Sequence, residues 1–355
     1  MQNNKSHIVI FVPGFAADEQ DENCIPSIQY YVMNLKKVAP EKTISIVTFE
    51  YPFLKNNYTW QGIHVYAIGG AGRKNFWKLL TWFRVLVCFI KLNNKQPVTS
   101  IQSFWLRECT LIGLFISKIF AVNFVATLQG QESQKGNWYL KIFNFFKIRV
   151  VSNSQFNAAV YAQSTGKACE SIIPFGVEYD QIYARCPYTN SARPIDIIGL
   201  GSLLPVKNYK LFIEIIAELK KELPSIKALV IGGGPQLIML KQKVISAGLS
   251  ENIEFKGFVE SRNKALNYLA SSKILLHTST HEGQCYTFME AFAYGLELVA
   301  FNVGHIPDSR KSHICASKEE MIASLKKLLS APIDTSVEII GNMKESAEQF
   351  NKLLI

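Results

Sequence analysis

The sequence predicts an α/β protein built from two doubly wound parallel-sheet domains that face each other across a cleft. Length is the first reason: 355 residues exceed what one core usually organises, and two domains of ordinary size fit better. The second is alternation, since short apolar runs take turns with helix-period segments, as in parallel sheets with crossover helices. The third is punctuation, because apolar runs close on glycines such as Gly201 and Gly232, where a buried strand turns into a loop.

The second half is the clearer one. Strands are expected at Asp196–Leu200, Ala228–Ile231, Ile253–Phe255, Lys273–His277 and Leu298–Phe301. Helices are expected at Leu211–Leu223, from Pro235 to Gly248, at Asn263–Ala270 and at Thr287–Tyr294. In the first half, His7–Val12, Thr43–Phe49, His64–Ala67, Thr99–Phe104, Asn123–Leu128 and Arg149–Ser152 read as strands. Cys24–Leu35 and Phe76–Ile90 read as helices. The hinge is expected in Val177–Pro194, which is polar, holds two prolines and lacks periodicity. The domains are therefore drawn as 1–180 and 190–335, with a C-terminal helix in 336–355 packing back on the first domain. In open α/β sheets, ligands bind at the carboxyl ends of the strands.

Composition removes several classes. Seven scattered cysteines show no CxxC or Cys/His cluster, so neither a disulfide framework nor a zinc site is expected, and a reducing compartment fits. Ile8–Val12 leads into Pro13-Gly14 and the acidic Asp18–Glu22 stretch, which reads as a first strand rather than a signal peptide. Leu79–Ile90 and Leu111–Leu128 are too short, or interrupted by Arg84, Lys118 and Asn123, to span a bilayer. Residues 70–150 hold twelve Lys/Arg against two acids, so this window alone carries the formal excess of +10. Such a field favours anionic partners.

The strongest chemical signal is His281-Glu282-Gly283-Gln284-Cys285-Tyr286-Thr287-Phe288-Met289-Glu290, continuing to Gly295. It puts Glu282 in a loop after a strand and Glu290 in the first turn of the next helix. Carboxylates accept hydrogen bonds from sugar hydroxyls, and a helix N-terminus attracts anions. The plain alternative is a capping box, Thr287-x-x-Glu290, in which Glu290 merely caps the helix. His277 and His281 flank the loop, where lone histidines are more often structural.

With its small-residue helix, Gly295 and the apolar run Leu298–Phe301, this segment resembles the retaining family 4 glycosyltransferases of the GT-B fold, two Rossmann-like domains. The resemblance implies that Glu282 lies by the donor sugar and Glu290 holds the ribose. Gly199–Asn208 resembles the family's phosphate loop, so Lys207 would neutralise the donor diphosphate and act with Glu282 in catalysis; Ser202 stands where an arginine is usual. Gly232-Gly233-Gly234-Pro235, Phe255-Lys256-Gly257-Phe258-Val259 and Ile173-Pro174-Phe175-Gly176-Val177 resemble further family segments. The implied donor set is Gly14, Phe15, Gly201, Ser202, Lys207, Gly233, Gly257, Phe258, Glu282, Gly283, Gln284, Cys285, Tyr286, Thr287 and Glu290. Gln129, Gln131 and Glu132 follow a strand and are the acceptor-side candidates.

The resemblance further implies a metal-independent reaction without a cofactor. A UDP- or GDP-sugar is the co-substrate and a glycan or lipid-linked molecule the acceptor, in surface polysaccharide or glycolipid synthesis. Lys74, Lys78 and Thr81 form a narrow polar stripe on an otherwise apolar helix. With Trp138–Arg149 it reads as an anionic-membrane contact through residues 73–95 and 138–149, against the alternative of a helix buried on its sheet. The expected location is the cytoplasm, at the inner face of the membrane. No nucleic-acid signature accompanies the charge, and no G-x-G-x-x-G opens a helix for a nicotinamide cofactor. The competing reading is a degenerate GT-B protein that binds nucleotide or glycan without transfer, on the ground of Ser202.

Overall fold

A computed structural model describes residues 6–70, 72–73, 76–178, 182, 193–332 and 334–354. The chain forms two units, residues 1–176 with 341–355, and residues 177–340. Most of the expected hinge falls outside the described residues.

In the first unit the strands are β1 (His7–Gly14), β2 (Thr43–Tyr51), β3 (Asn56–Trp60), β4 (Ile63–Ala67), β5 (Ser100–Phe104), β6 (Asn123–Leu128), β7 (Arg149–Ser152) and β8 (Ser171–Ile172). Their order across the sheet is β3-β4-β2-β1-β5-β6-β7-β8. Pairing is parallel, for example Ile10 with Ile46 across β1 and β2, except for the antiparallel pair β3 and β4. Central β1 is apolar at Ile8–Val12 because both faces are covered, and all five residues are buried. The helix Met343–Leu353 belongs to this unit, with the Phe350 ring 5.1 Å from that of Tyr31 on the helix Pro26–Val38.

The second unit contains β9 (Ile195–Leu200), β10 (Ala228–Ile231), β11 (Ile253–Gly257), β12 (Ser272–His277), β13 (Glu297–Phe301) and β14 (Ser312–Cys315), in the order β11-β10-β9-β12-β13-β14. Numbered from β9, this is the 3-2-1-4-5-6 order of a doubly wound sheet, whose winding reverses between its first and fourth strands. The loops after β9 and β12 therefore flank the switch point. The amphipathic helix Tyr209–Lys220 buries Phe212, Ile213, Ile216 and Leu219 against this sheet.

Strand β14 was not expected, since Ser312–Cys315 shows little apolar character. Leu111–Leu128 divides into the helix Glu108–Phe120 and strand β6, with Ala121 in the left-handed conformation between them. Among the described residues no helix is long and apolar enough to cross a membrane.

Candidate active site

The loop after β9 and the loop after β12 are fastened to each other. Thr278 Oγ1 donates to the carbonyls of Lys207 (3.0 Å) and Asn208 (3.1 Å). Ser279 Oγ donates to the Val206 carbonyl at 3.0 Å, and the Thr280 N–H to the same carbonyl at 2.9 Å. These three residues fix where Lys207 stands, and none was singled out from the sequence. Their signal is a run of small hydroxylic residues just beyond a strand.

Lys207 Nζ donates to Glu282 Oε1 at 2.6 Å, and His277 Nε2 lies 2.8 Å from the same oxygen. The three side chains are mostly buried. Burial pushes the Glu282 carboxyl up, but the His277 hydrogen bond and the Lys207 charge outweigh it and hold the group at about 2. Burial lowers the His277 pKa against the pull of Glu282, so the ring is neutral at neutral pH. Since ionised Glu282 only accepts, the His277 proton sits on Nε2. Burial pulls Lys207 down, yet the charge and hydrogen bond of Glu282 hold it raised and charged. His277 is thus part of the site rather than a bystander, and Lys207 is not a free loop lysine.

Donor atoms of His277, Glu282 and Cys285 lie within 4.8 Å of one another, a spacing that a metal ion can bridge. The donor set fits a cation poorly: burial pushes the Cys285 thiol up to about 12, and the Lys207 ammonium already occupies the Glu282 oxygen.

The glycine loops form the neighbouring part of the switch-point surface. Gly232 has φ +150°, and a Cβ there would stand 1.8 Å from the Gly201 carbonyl oxygen. The Leu203 N–H donates to Gly233 O at 2.8 Å, and the Gly232 N–H to Gly257 O at 2.9 Å. Gly201, Gly233 and Gly257 are thereby brought together, with Phe258 exposed beside Gly233 and Ser202 exposed on the loop. The Gly201 N–H is committed to Ile231 O at 3.0 Å, so it is not a donor left for a phosphate. The Gly283 carbonyl accepts from the His305 N–H at 3.0 Å, and Gly304 closes on Glu282.

Helix Tyr286–Ala293 starts at Cys285, without a side-chain cap. Thr287 already lies inside the helix and Glu290 is its fifth residue, so the capping box does not form. Glu290 also lies beyond the first turn where it was expected. Its buried carboxylate pairs with Arg262, from the start of the helix Arg262–Ala270. Arg262 is a site residue that sequence reading missed. Gln284 reaches Met289 Sδ at 3.9 Å, and Tyr286 and Thr287 are half-buried on the same helix.

In the first unit the expected residues behave differently. Gly14 ends β1 with its Cα facing Tyr51, while the Phe15 side chain is core, edge-on to Trp60 at 4.9 Å. Glu132 is buried and turned into its own loop, accepting the Gln129 N–H at 2.5 Å, so burial raises its pKa against these bonds. Gln131 is exposed, whereas Gln129 Nε2 is buried with no hydrogen-bond partner among the described residues.

A cavity of about 490 Å³ instead opens at the switch point between β1 and β5. Glu50, Lys78, Arg107, Glu108, Trp138 and Tyr139 line it, and Gln129, Gln131 and Glu132 do not. Lys78 pairs with Glu108 there, and Tyr139 Oη donates to Glu108 at 3.3 Å. Burial and the Glu108 charge raise the Glu50 pKa against Lys78 and Arg107. Trp105, also on the wall, is held at φ +64°; a bulky residue in that region is strained, and such strain gathers at functional sites.

Two parallel-sheet Rossmann-like units with such loops at their switch points are the parts of a GT-B fold. Residues 188–350 match the family described as glycosyl transferases group 1. Sucrose-phosphate synthase from Thermosynechococcus elongatus superposes with a TM-score of 0.77 over 98% of both chains, at 14% identity. HepE from Anabaena, solved with UDP and glucose, gives 0.65 over 98% of this chain and 97% of its own, also at 14% identity. The fold is GT-B. A phosphatidylinositol N-acetylglucosaminyltransferase component from Arabidopsis thaliana is 26% identical over 164 residues, which is 44% of this chain and 36% of that protein. The match therefore spans about a third of that relative's length.

Proposed function

We propose that this chain is a retaining, metal-independent glycosyltransferase. It takes a sugar from a nucleotide sugar at the second unit and passes it to a glycan or lipid-linked acceptor at the cytoplasmic face of a membrane. The observation that carries this reading is the ionised, buried Glu282, held by Lys207 and His277 between the two switch-point loops. The HepE complex with UDP and glucose and the phosphatidylinositol-directed name of the Arabidopsis relative support the donor and acceptor classes.

In this reading the bond from sugar C1 to the diphosphate oxygen breaks, and the acceptor oxygen bonds to C1 on the same face. The acceptor proton leaves with the departing phosphate. The transition state is oxocarbenium-like at the sugar and gathers negative charge on the diphosphate. Lys207 stabilises that charge when it turns from Glu282, and freed Glu282 accepts from sugar hydroxyls. Glu290 with Arg262 holds the ribose. The acceptor takes the cavity of the first unit, where carboxylates, Arg107 and the faces of Trp138 and Tyr139 suit a polyhydroxylated ring.

The test is a thermal-shift panel of UDP, GDP, ADP and CDP without added metal. A nucleotide at about 100 times its Kd adds about 2.7 kcal/mol. One nucleotide that stabilises the protein, and stops doing so in Lys207→Ala, supports the proposal. No response to any of the four favours a degenerate GT-B protein, the reading that Ser202 supports.

A further inference from the structure

Helix Trp77–Lys95 lies with its polar stripe inward. Thr81 is buried and accepts a hydrogen bond from Arg73 Nη1 at 2.9 Å, while Lys78 is turned to Glu108. Lys74, the third member of the expected stripe, falls outside the described residues. Thr81, Val85, Phe89 and Leu92 face the sheet. The opposite face and the turn before it expose Phe76, Trp77, Leu79, Leu80, Phe83 and Ile90, with Phe76 74% and Phe83 62% accessible. A contiguous apolar face of this kind on a folded unit marks a contact site.

Beside it runs a groove of about 270 Å³ lined by Lys55, Arg84, Lys91 and Lys95, with Phe83, Ile68 and Leu92 among its apolar walls. Among the described residues none of these four cations has an ion-pair partner. Lys91 and Lys55 both pull down the thiol of Cys88, which burial nevertheless leaves at about 11, so both charges converge on the groove. A cationic trough along the edge of an apolar face matches an anionic amphiphile: phosphate in the trough, acyl chains against the aromatic face.

We infer that this surface docks onto a bilayer containing anionic phospholipid, with a headgroup phosphate between Arg84, Lys55, Lys91 and Lys95 and with Trp77, Leu80 and Phe83 among the acyl chains. The charge excess of residues 70–150 provides the longer-range attraction. Docking of a second copy is disfavoured, since a two-fold contact sets the same four cations against each other. The inference rests on the proposed function only in naming what is brought to the membrane.

The experiment is flotation with phosphatidylcholine vesicles, with and without about 30% phosphatidylglycerol, at low and high salt. The full chain should float with the anionic vesicles alone and release with salt. Each cation near such a surface contributes about fivefold, so Arg84→Gln/Lys91→Gln should weaken binding about 30-fold. Brominated acyl chains should quench the protein's fluorescence, and Trp77→Phe should lose that response. Nucleotide-induced stabilisation, whatever its size, should be the same in these variants as in the parent, which separates this test from that of the transfer reaction. Equal binding to neutral vesicles, or full binding by the double variant, overturns the inference. So does stabilisation by free glycerol phosphate without vesicle binding, or a dimer that Phe83→Gln dissociates.

Discussion

Lys207 and Glu282 meet at 2.6 Å across the reversal point of the second sheet, although they lie 75 residues apart. Glu282→Gln keeps the shape and removes the charge. It leaves Lys207 without its anionic partner and should cost about 3 kcal/mol and, for the proposed transfer, at least about 100-fold in rate. The pH dependence has a definite sign. The folded carboxyl titrates near 2, below its ordinary 4.5, so its stabilisation is full above the unfolded pKa and is lost as pH falls from about 4.5 toward 2. Urea unfolding at about pH 6 and about pH 3 should show the advantage of the parent over Glu282→Gln shrinking on acidification. A constant gap would argue against the ion pair.

Gly232→Ala should be far more damaging than Gly248→Ala. Both glycines have positive φ, +150° and +66°, but a Cβ on Gly232 meets the Gly201 carbonyl oxygen while one on Gly248 meets nothing within 4 Å. Gly248→Ala therefore carries only the conformational cost, about 1 kcal/mol. Gly232→Ala adds a backbone collision that must part the loops after β9 and β10, for a total of about 3 kcal/mol or more. Thermal denaturation of the two variants checks the order, and equal losses would mean that the loops are not locked together.

Much of this site was legible from local pattern. The β9 to β13 alternation, Glu282 and the glycine turns each sit where an apolar run meets a loop, a feature that survives in sequence because strands of a parallel sheet are buried on both faces, whereas Lys207 stood out only through the resemblance of Gly199–Asn208 to the family's phosphate loop. What stayed hidden depends on residues far apart in the chain. Arg262 was invisible because an arginine opening a polar helix looks like any solvated cation until Glu290 is placed beside it. His277 read as structural because its partner is revealed only by the bend of the loop after β12. Helix 77–95 was readable as amphipathic, but which face turned outward was set by Glu108 and Arg73, neither of them on the helix. The Glu50–Arg107–Glu108 cavity had no motif at all, being assembled from the end of β2, the start of the helix Glu108–Phe120 and the segment around Trp138 and Tyr139.

Glu290 and Arg262 should behave as a coupled pair. Both side chains are nearly enclosed, so removing either leaves a buried charge unmatched. Glu290→Gln and Arg262→Gln should each cost about 3 to 5 kcal/mol. The double variant should cost much less than the sum, with a coupling energy of about 1 to 3 kcal/mol. A double-mutant cycle in urea measures it. Additive losses would show that the pair is not formed in solution.

Ser202→Arg tests whether this loop is degenerate or merely arranged differently. Position 202 is exposed on the loop after β9, so a long cation can be added there without displacing core. Lys207 stays anchored by Thr278 and Ser279, which hold its loop rather than its ammonium. If the diphosphate of a nucleotide sugar binds over this loop, an added guanidinium gains a charge-assisted hydrogen bond of about 1.5 to 3 kcal/mol, equivalent to about 10- to 100-fold in Kd. Calorimetric titration of the nucleoside diphosphate that stabilises the parent should register that gain. The gain should fall as salt rises, because the new charge is exposed. Unchanged affinity would mean that the phosphates lie elsewhere. Binding gained only in Ser202→Arg, by a parent that binds nothing, would identify the natural chain as a scaffold whose donor site has lapsed at this one position.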